Sequence, residues 1–177
     1  MKRLVMIMTV LLIGGTAISQ KMLTRAGEIK FDATIPGALD EVIGNSKTVS
    51  SIFDKTTGEL VVQAMVKSFK FKSPLMEEHF NENYMESDKL PKANFKGKVT
   101  GYDGKAGNYD VEGDLTIHGE TNKVKTKMAI ANDGGKVAIS GNFTVKLSDY
   151  KIDVPALAKK TLAETAKISI KLQLENR

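Results

Sequence analysis

Cysteine and tryptophan are both absent from this 177-residue chain, and only two histidines and four prolines occur. Without cysteine there can be no disulfide and no lipid-modified thiol behind an export signal. His79 lacks the i+4 partner of a helical zinc site, and His118 closes a strand on the side expected to face water. No serine sits in a nucleophile elbow, and Gly101 to Gly107 reads as a hairpin turn rather than a phosphate cradle. A catalytic constellation is therefore not expected. The lysines at 123, 125 and 127 share one strand face without the aromatic interleaving that stacks bases, so nucleic acid is not an expected partner. Such lysines also guard a sheet against edge association.

A long apolar run is missing too. Leu4 to Ile13 falls short of the roughly 20 residues that a membrane span needs. Lys2 and Arg3 precede it, and Gly14, Gly15, Thr16, Ala17, Ile18 and Ser19 follow. This is the pattern of a cleaved signal peptide over residues 1–19, with export to a periplasm if the cell has two membranes. Its removal leaves 24 basic against 21 acidic side chains, an ordinary net charge of +3. Residues 20–177 suit a single domain able to bury a core.

What the chain has in abundance is alternation. Tyr109, Val111, Gly113, Leu115 and Ile117 interleave with Asp110, Glu112, Asp114, Thr116 and His118. A period of two sends the sets to opposite faces of a strand. The same rhythm recurs in Ile29, Phe31, Ala33 and Ile35, in Val124, Met128 and Ile130, in Val137, Ile139, Phe143 and Val145, and in Ile168, Ile170, Leu172 and Leu174. Eight strands are predicted, near 27–35, 47–54, 59–71, 93–103, 107–118, 122–131, 136–147 and 165–175. The fold class is all-β: an eight-stranded antiparallel, lipocalin-like barrel with two or three short helices in its connections. Leu39, Val42 and Ile43 fall at helical spacing and predict a turn or two of helix before Gly44. Ser73 and Pro74 predict a helix start whose stripe is Met76, Phe80 and Tyr84. Pro155 predicts a third short helix, reaching Leu162. The phase shift from Val66 to Phe69 predicts a bend near Lys67-Ser68.

An eight-stranded barrel is just wide enough either to be filled by side chains or to hold one small ligand. Its predicted inner face sets Ala33, Ala64, Gly97, Gly101, Gly113 and Gly141 beside Phe31, Phe69, Phe71, Phe95 and Phe143. Two readings stay open. Either the small residues leave a void that an apolar ligand occupies, or large neighbours fill the space and the glycines relieve strain at bends. Leucine at Gly97 or Gly141 is expected to separate them, reducing loading in a tunnel and breaking folding in a packed core.

Particular motifs add a resemblance. Leu75-Met76-Glu77-Glu78-His79-Phe80, the run from Met85 to Phe95 with its Pro-x-Ala-x-Phe element, and Gly113-Asp114-Leu115-Thr116-Ile117-His118-Gly119 resemble the YceI-like polyisoprenoid-binding proteins. The resemblance implies an envelope barrel whose apolar tunnel holds an isoprenoid lipid, for example a polyprenyl phosphate or a quinone-like molecule, with no other cofactor and no metal. The expected tunnel lining is Phe31, Ala33, Val62, Ala64, Val66, Phe69, Phe71, Phe95, Gly97, Val99, Leu115, Ile117, Met128, Ile139, Gly141, Phe143 and Ile170. Met76, Phe80 and Tyr84 are expected to form its lid. The partner implied is a lipid, with transient contact at a membrane surface. The alternative is a packed barrel acting through its lysine-rich surface on a protein or membrane partner.

Overall fold

The computed structural model describes residues 21–156 and 158–176, and the expected signal peptide lies outside them. The chain runs β1 (Lys21–Thr34), β2 (Ile43–Asp54), β3 (Glu59–Met65), β4 (Lys70–Phe71), helix α1 (Pro74–His79), β5 (Lys92–Thr100), β6 (Gly107–Ile117), β7 (Glu120–Asp133), β8 (Lys136–Lys146) and β9 (Leu162–Asn176). Each long strand pairs antiparallel with its neighbours, and β1 closes the sheet by pairing with both β9 and β2. Counting β3 and β4 as two pieces of one strand, this is a closed eight-stranded antiparallel barrel.

The break between those pieces falls where the phase of the sequence shifts. Val66–Ser68 form a tight helical turn, so Val66 and Phe69 both point inward although they are three residues apart. Ser68 donates its hydroxyl proton to the Met65 carbonyl at 2.6 Å, which leaves its oxygen 2.7 Å from the Ser46 hydroxyl on β2. The corner is thus stitched by side chains where the ladder lapses.

Two of the predicted helices need correction. Leu39, Val42 and Ile43 form none: Leu39 is fully exposed, Ile43 opens β2, and the segment between β1 and β2 is a loop. The Ala33 amide donates to the Val42 carbonyl, and the Thr34 hydroxyl accepts from the Val42 amide at 2.9 Å. These bonds satisfy the backbone as a loop closure, leaving nothing for a helix to add. After Pro155 a single tight turn, Ala158–Lys160, replaces the third helix, and Leu162 already belongs to β9. The helix at Ser73 forms as predicted, with the serine oxygen accepting from the Met76 amide at 3.4 Å.

Outside the barrel, charges alternate across strands. Lys123, Lys125 and Lys127 on β7 face Asp114, Glu112 and Asp110 on β6 at 3.4, 3.8 and 2.8 Å. All six side chains are exposed, so each pair contributes about 1 kcal/mol or less. Each lysine of this face thus has a carboxylate across the strand.

Candidate functional site

The barrel interior is divided along its length. In one half, Met22, Val49, Phe53, Leu60, Val99, Val111, Ile130, Val137, Ile139, Leu172 and Leu174 are essentially without solvent exposure. In the other half, inward side chains of the same strands stay only partly buried: Ile29, Phe31, Phe95, Ile117, Val124, Phe143 and Ile168. The space they surround is a chamber of about 100 Å³. A single water needs roughly 10–15 Å³ on such a measure, so this is more than a packing defect. Asn94 and Thr126 are the polar residues in its lining, apart from the hydroxyl-bearing Tyr150. Beside it, the regular register of β7 with β8 ends at Met128 and Gly141, and the Thr126 hydroxyl donates to the Asn142 carbonyl at 3.0 Å.

A second apolar space of about 220 Å³, termed the vestibule, lies under α1. Phe31, Phe80, Met85, Leu147 and Ile152 line both spaces and form the partition between them. Phe80 is its centre, with ring centroids 4.8, 5.7 and 5.8 Å from those of Phe71, Phe31 and Phe69. Ser73, His79, Tyr84 and Thr161 supply polar atoms around the vestibule.

The barrel fold has counterparts among solved structures. A polyisoprenoid-binding domain from Saccharophagus degradans, implicated in plant cell wall breakdown, superposes with a TM-score of 0.75 at 15% identity, over 90% of this chain and 99% of that one. BcnA of Burkholderia cenocepacia gives 0.70 at 18% identity, over 85% and 96% of the chains, and a Campylobacter jejuni YceI protein gives 0.65 at 20%, over 79% and 88%. At these identities the likeness establishes the fold. No curated protein is significantly similar in sequence. The family model for the YceI-like domain, however, matches residues 21–174. The chain belongs to the YceI-like family.

The sequence elements that suggested a YceI-like protein meet in space. Leu90 packs beside Gly119, and the Glu86 carboxylate lies 3.5 Å from His118 Nε2. His118 is not the water-facing residue expected from its strand phase: its side chain is only 14% exposed. A left-handed backbone, φ +51°, turns the ring inward, where Nδ1 lies 3.1 Å from the Tyr150 carbonyl. A carbonyl can only accept, so Nδ1 carries the proton and Nε2 is left facing Glu86. Glu86 and Lys151, next to Tyr150, are the other left-handed non-glycine residues among those described. Each such conformation costs about 1–2 kcal/mol, and all three gather where the segment after α1 meets the barrel.

The α1 segment of this YceI-like barrel is tied down by carboxylates. Glu77 accepts from Lys70 and from the Phe71 amide at 3.2 Å, fastening α1 to β4. The hydrogen bond from Lys70 holds the Glu77 carboxyl below its ordinary value, against the opposing effect of burial. Hydrogen bonding from Lys89 does the same for Glu86, with a smaller contribution from His118. A carboxyl depressed in the folded state stabilises that state fully above its unfolded value, near 4.3. That stabilisation is lost as pH falls through the lower folded value. Opening of the α1 segment should therefore be insensitive to pH above the ordinary carboxyl range and become easier as pH falls below it. Stopped-flow release of a fluorescent fatty alcohol, which has no acid titration of its own, checks this, and Glu77→Gln should raise the neutral rate and flatten the acid rise.

The expected lining divides among three places. Phe31, Val62, Ala64, Val66, Phe69, Phe80, Phe95, Leu115, Ile117, Met128, Phe143 and Ile170 surround the chamber. Phe71, Met76 and Tyr84 line the vestibule together with Phe31 and Phe80. Gly97, Val99, Ile139 and Gly141 border neither space, and Ala33 is buried beside Val42 without reaching either. Gly101 is no inner-face residue at all, but a turn glycine with φ +71° and nothing near the place of its Cβ.

The glycines do not make the hollow. Gly97 and Gly113 are cross-strand partners, and the Phe95 ring lies over both, with Cζ 2.5 and 2.8 Å from where their Cβ atoms would be. Likewise, Met128 covers Gly141, with Cγ 2.8 Å from its missing Cβ. Ile29, Val124, Val145 and Ile168 line the chamber on the strand rhythm already visible in the sequence, whereas Leu147, Tyr150 and Ile152 arrive from an irregular connection that carries no periodic signal.

Proposed function

We propose that this protein is an exported carrier that holds the tail of an isoprenoid or another single-chain amphiphile in the barrel chamber, with the head group at the vestibule. The observation behind this reading is that the strand positions around the chamber are inward yet remain partly uncovered, in a barrel whose other half is solid. Each buried methylene would contribute about 0.8 kcal/mol before the cost of ordering the tail. Ser73, His79, Tyr84 and Thr161 offer hydrogen bonds to a polar head without charge selection. Storage or transport between membranes needs binding and release alone, so no catalytic group is required. Among the described residues no helix is long and apolar enough to cross a membrane, and no cluster of three or more acidic or histidine side chains could share a metal.

Native mass spectrometry of the full-length protein purified from its own cell envelope tests the proposal. A co-purifying amphiphile released by organic extraction is the expected result, and protein that never carries lipid overturns it. Ala64→Phe separates loading from folding. Ala64 faces Ala93 across β3 and β5, and both border the chamber. A phenyl ring should enter empty space, lowering loading at least tenfold while stability changes by less than about 1.5 kcal/mol; a filled interior would instead lose about 1–3 kcal/mol from overpacking.

A further inference from the structure

The chamber gives way to solid packing part-way along the strands that surround it. On β5 its lining includes Phe95 but not Gly97 or Val99, and on β9 it includes Ile170 but not Leu172. On β7 it runs from Val124 to Met128, about 13 Å of strand, and ends before Ile130. Two side chains make this floor. Phe95 lies back over the Gly97–Gly113 pair, and Met128 lies over Gly141, so each large group occupies room that its glycines leave. Beneath them Val99, Val111, Ile139 and Leu172 are at most 1% exposed.

We infer that Phe95 and Met128 form a stop that limits the length of tail this barrel accepts. The inference rests on the carrier reading and sharpens it: the preferred ligand is a short-tailed, single-chain amphiphile, and a tail long enough to thread the whole barrel is excluded. Both stop residues rest on glycine on one side, with Phe95 between Val62 and Leu115 and Met128 beside Tyr109 on the neighbouring strands, so shortening them opens the floor while the backbone ladders stay in place. Phenylalanine is rigid and sets the level sharply. Methionine is adaptable and closes the remaining gap.

A length series tests the stop. Saturated fatty acids of increasing length are titrated against the full-length protein, delipidated beforehand, by displacement of a fluorescent fatty acid. For the wild type, affinity should rise by up to roughly fourfold per added methylene while the tail fills the chamber, and then level off. Met128→Ala and Phe95→Leu should each move the level point to longer tails, with circular dichroism confirming that the barrel is intact. An affinity that keeps climbing through the longest acids in the wild type overturns the inference and leaves the carrier reading standing. A level point unmoved in both folded variants overturns it as well. Binding of no acid and no prenyl alcohol at any length sinks the carrier reading, and the stop with it.

Discussion

Gly113→Ala should be among the most damaging single changes in this barrel, lowering stability by about 3 kcal/mol or more. A Cβ at this position would sit 2.4 Å from the Gly97 Cα, 2.5 Å from the Lys96 carbonyl oxygen and 2.8 Å from the Phe95 ring. Two of those neighbours are backbone, so relief requires β5 and β6 to move apart, and with them the floor of the chamber. A flexible side chain could yield; a paired strand cannot yield without losing ladder hydrogen bonds. Gly141→Ala provides the contrast. Its nearest neighbour is the Met128 Cγ at 2.8 Å, the middle of a flexible side chain, with the Lys127 carbonyl at 3.2 Å. It should cost about 1–2 kcal/mol, less than Gly113→Ala, because Met128 can turn about χ1 without parting the strands. Thermal unfolding resolves the pair, because each kcal/mol corresponds to about 2–4 °C in a domain of this size. Equal midpoints for the two variants would show that the β5–β6 approach is not a steric constraint.

The same distances change what a bulky substitution can diagnose. Leucine at Gly97 was expected to report on an open or a packed interior, yet its Cβ would meet the Glu112 carbonyl oxygen at 2.5 Å and the Gly113 Cα at 2.9 Å. Folding would suffer in either case. Ala64 borders the chamber itself and makes the distinction that the glycines cannot.

How the sequence foretells the fold differs from how it foretells the site. The strands are legible because a period of two is a property of each strand alone, and the bend at Val66–Ser68 is legible because it interrupts that period. The false helix at Leu39, Val42 and Ile43 shows the limit: three apolar residues matched a helical spacing while Pro36, Gly37 and the Thr34 hydroxyl were closing a loop. Alternation also tells which residues point inward but not what lies over them. Gly97, Gly113 and Gly141 do face inward, and whether they leave a void depends on the Phe95 and Met128 rotamers, which no pattern of residue types encodes. The lid adds a second example. Met76, Phe80 and Tyr84 share a stripe at helical spacing, but Phe80–Tyr84 form a wide turn in which the Met85 amide bonds to the Phe80 carbonyl. That extra residue makes Met85, 7% exposed, the neighbour of Phe80 in the partition and leaves Tyr84 in the vestibule.

Phe80→Ala should join the two spaces into one and speed ligand release at a measurable cost in stability. The ring is 8% exposed and contacts three other phenylalanines, so truncation should cost about 3 kcal/mol. That figure falls at the low end of the range for buried phenylalanine because two sides of the ring already border empty space, and fewer contacts are lost than in a solid core. Phe80→Leu retains most of the partition and should cost less than about 1.5 kcal/mol. Urea unfolding gives the stabilities, and stopped-flow displacement of a bound fluorescent fatty acid gives the release rates. If Phe80 divides chamber from vestibule, release should accelerate at least tenfold in the alanine variant and remain near wild type in the leucine variant. The comparison should be made well below the unfolding midpoint, where global opening contributes nothing to release. Equal rates in all three proteins would mean that the tail leaves by another route, and the parting of β7 from β8 beyond Met128 and Gly141, beside Val124 and Phe143, is one break in the wall for a channel-blocking variant to test.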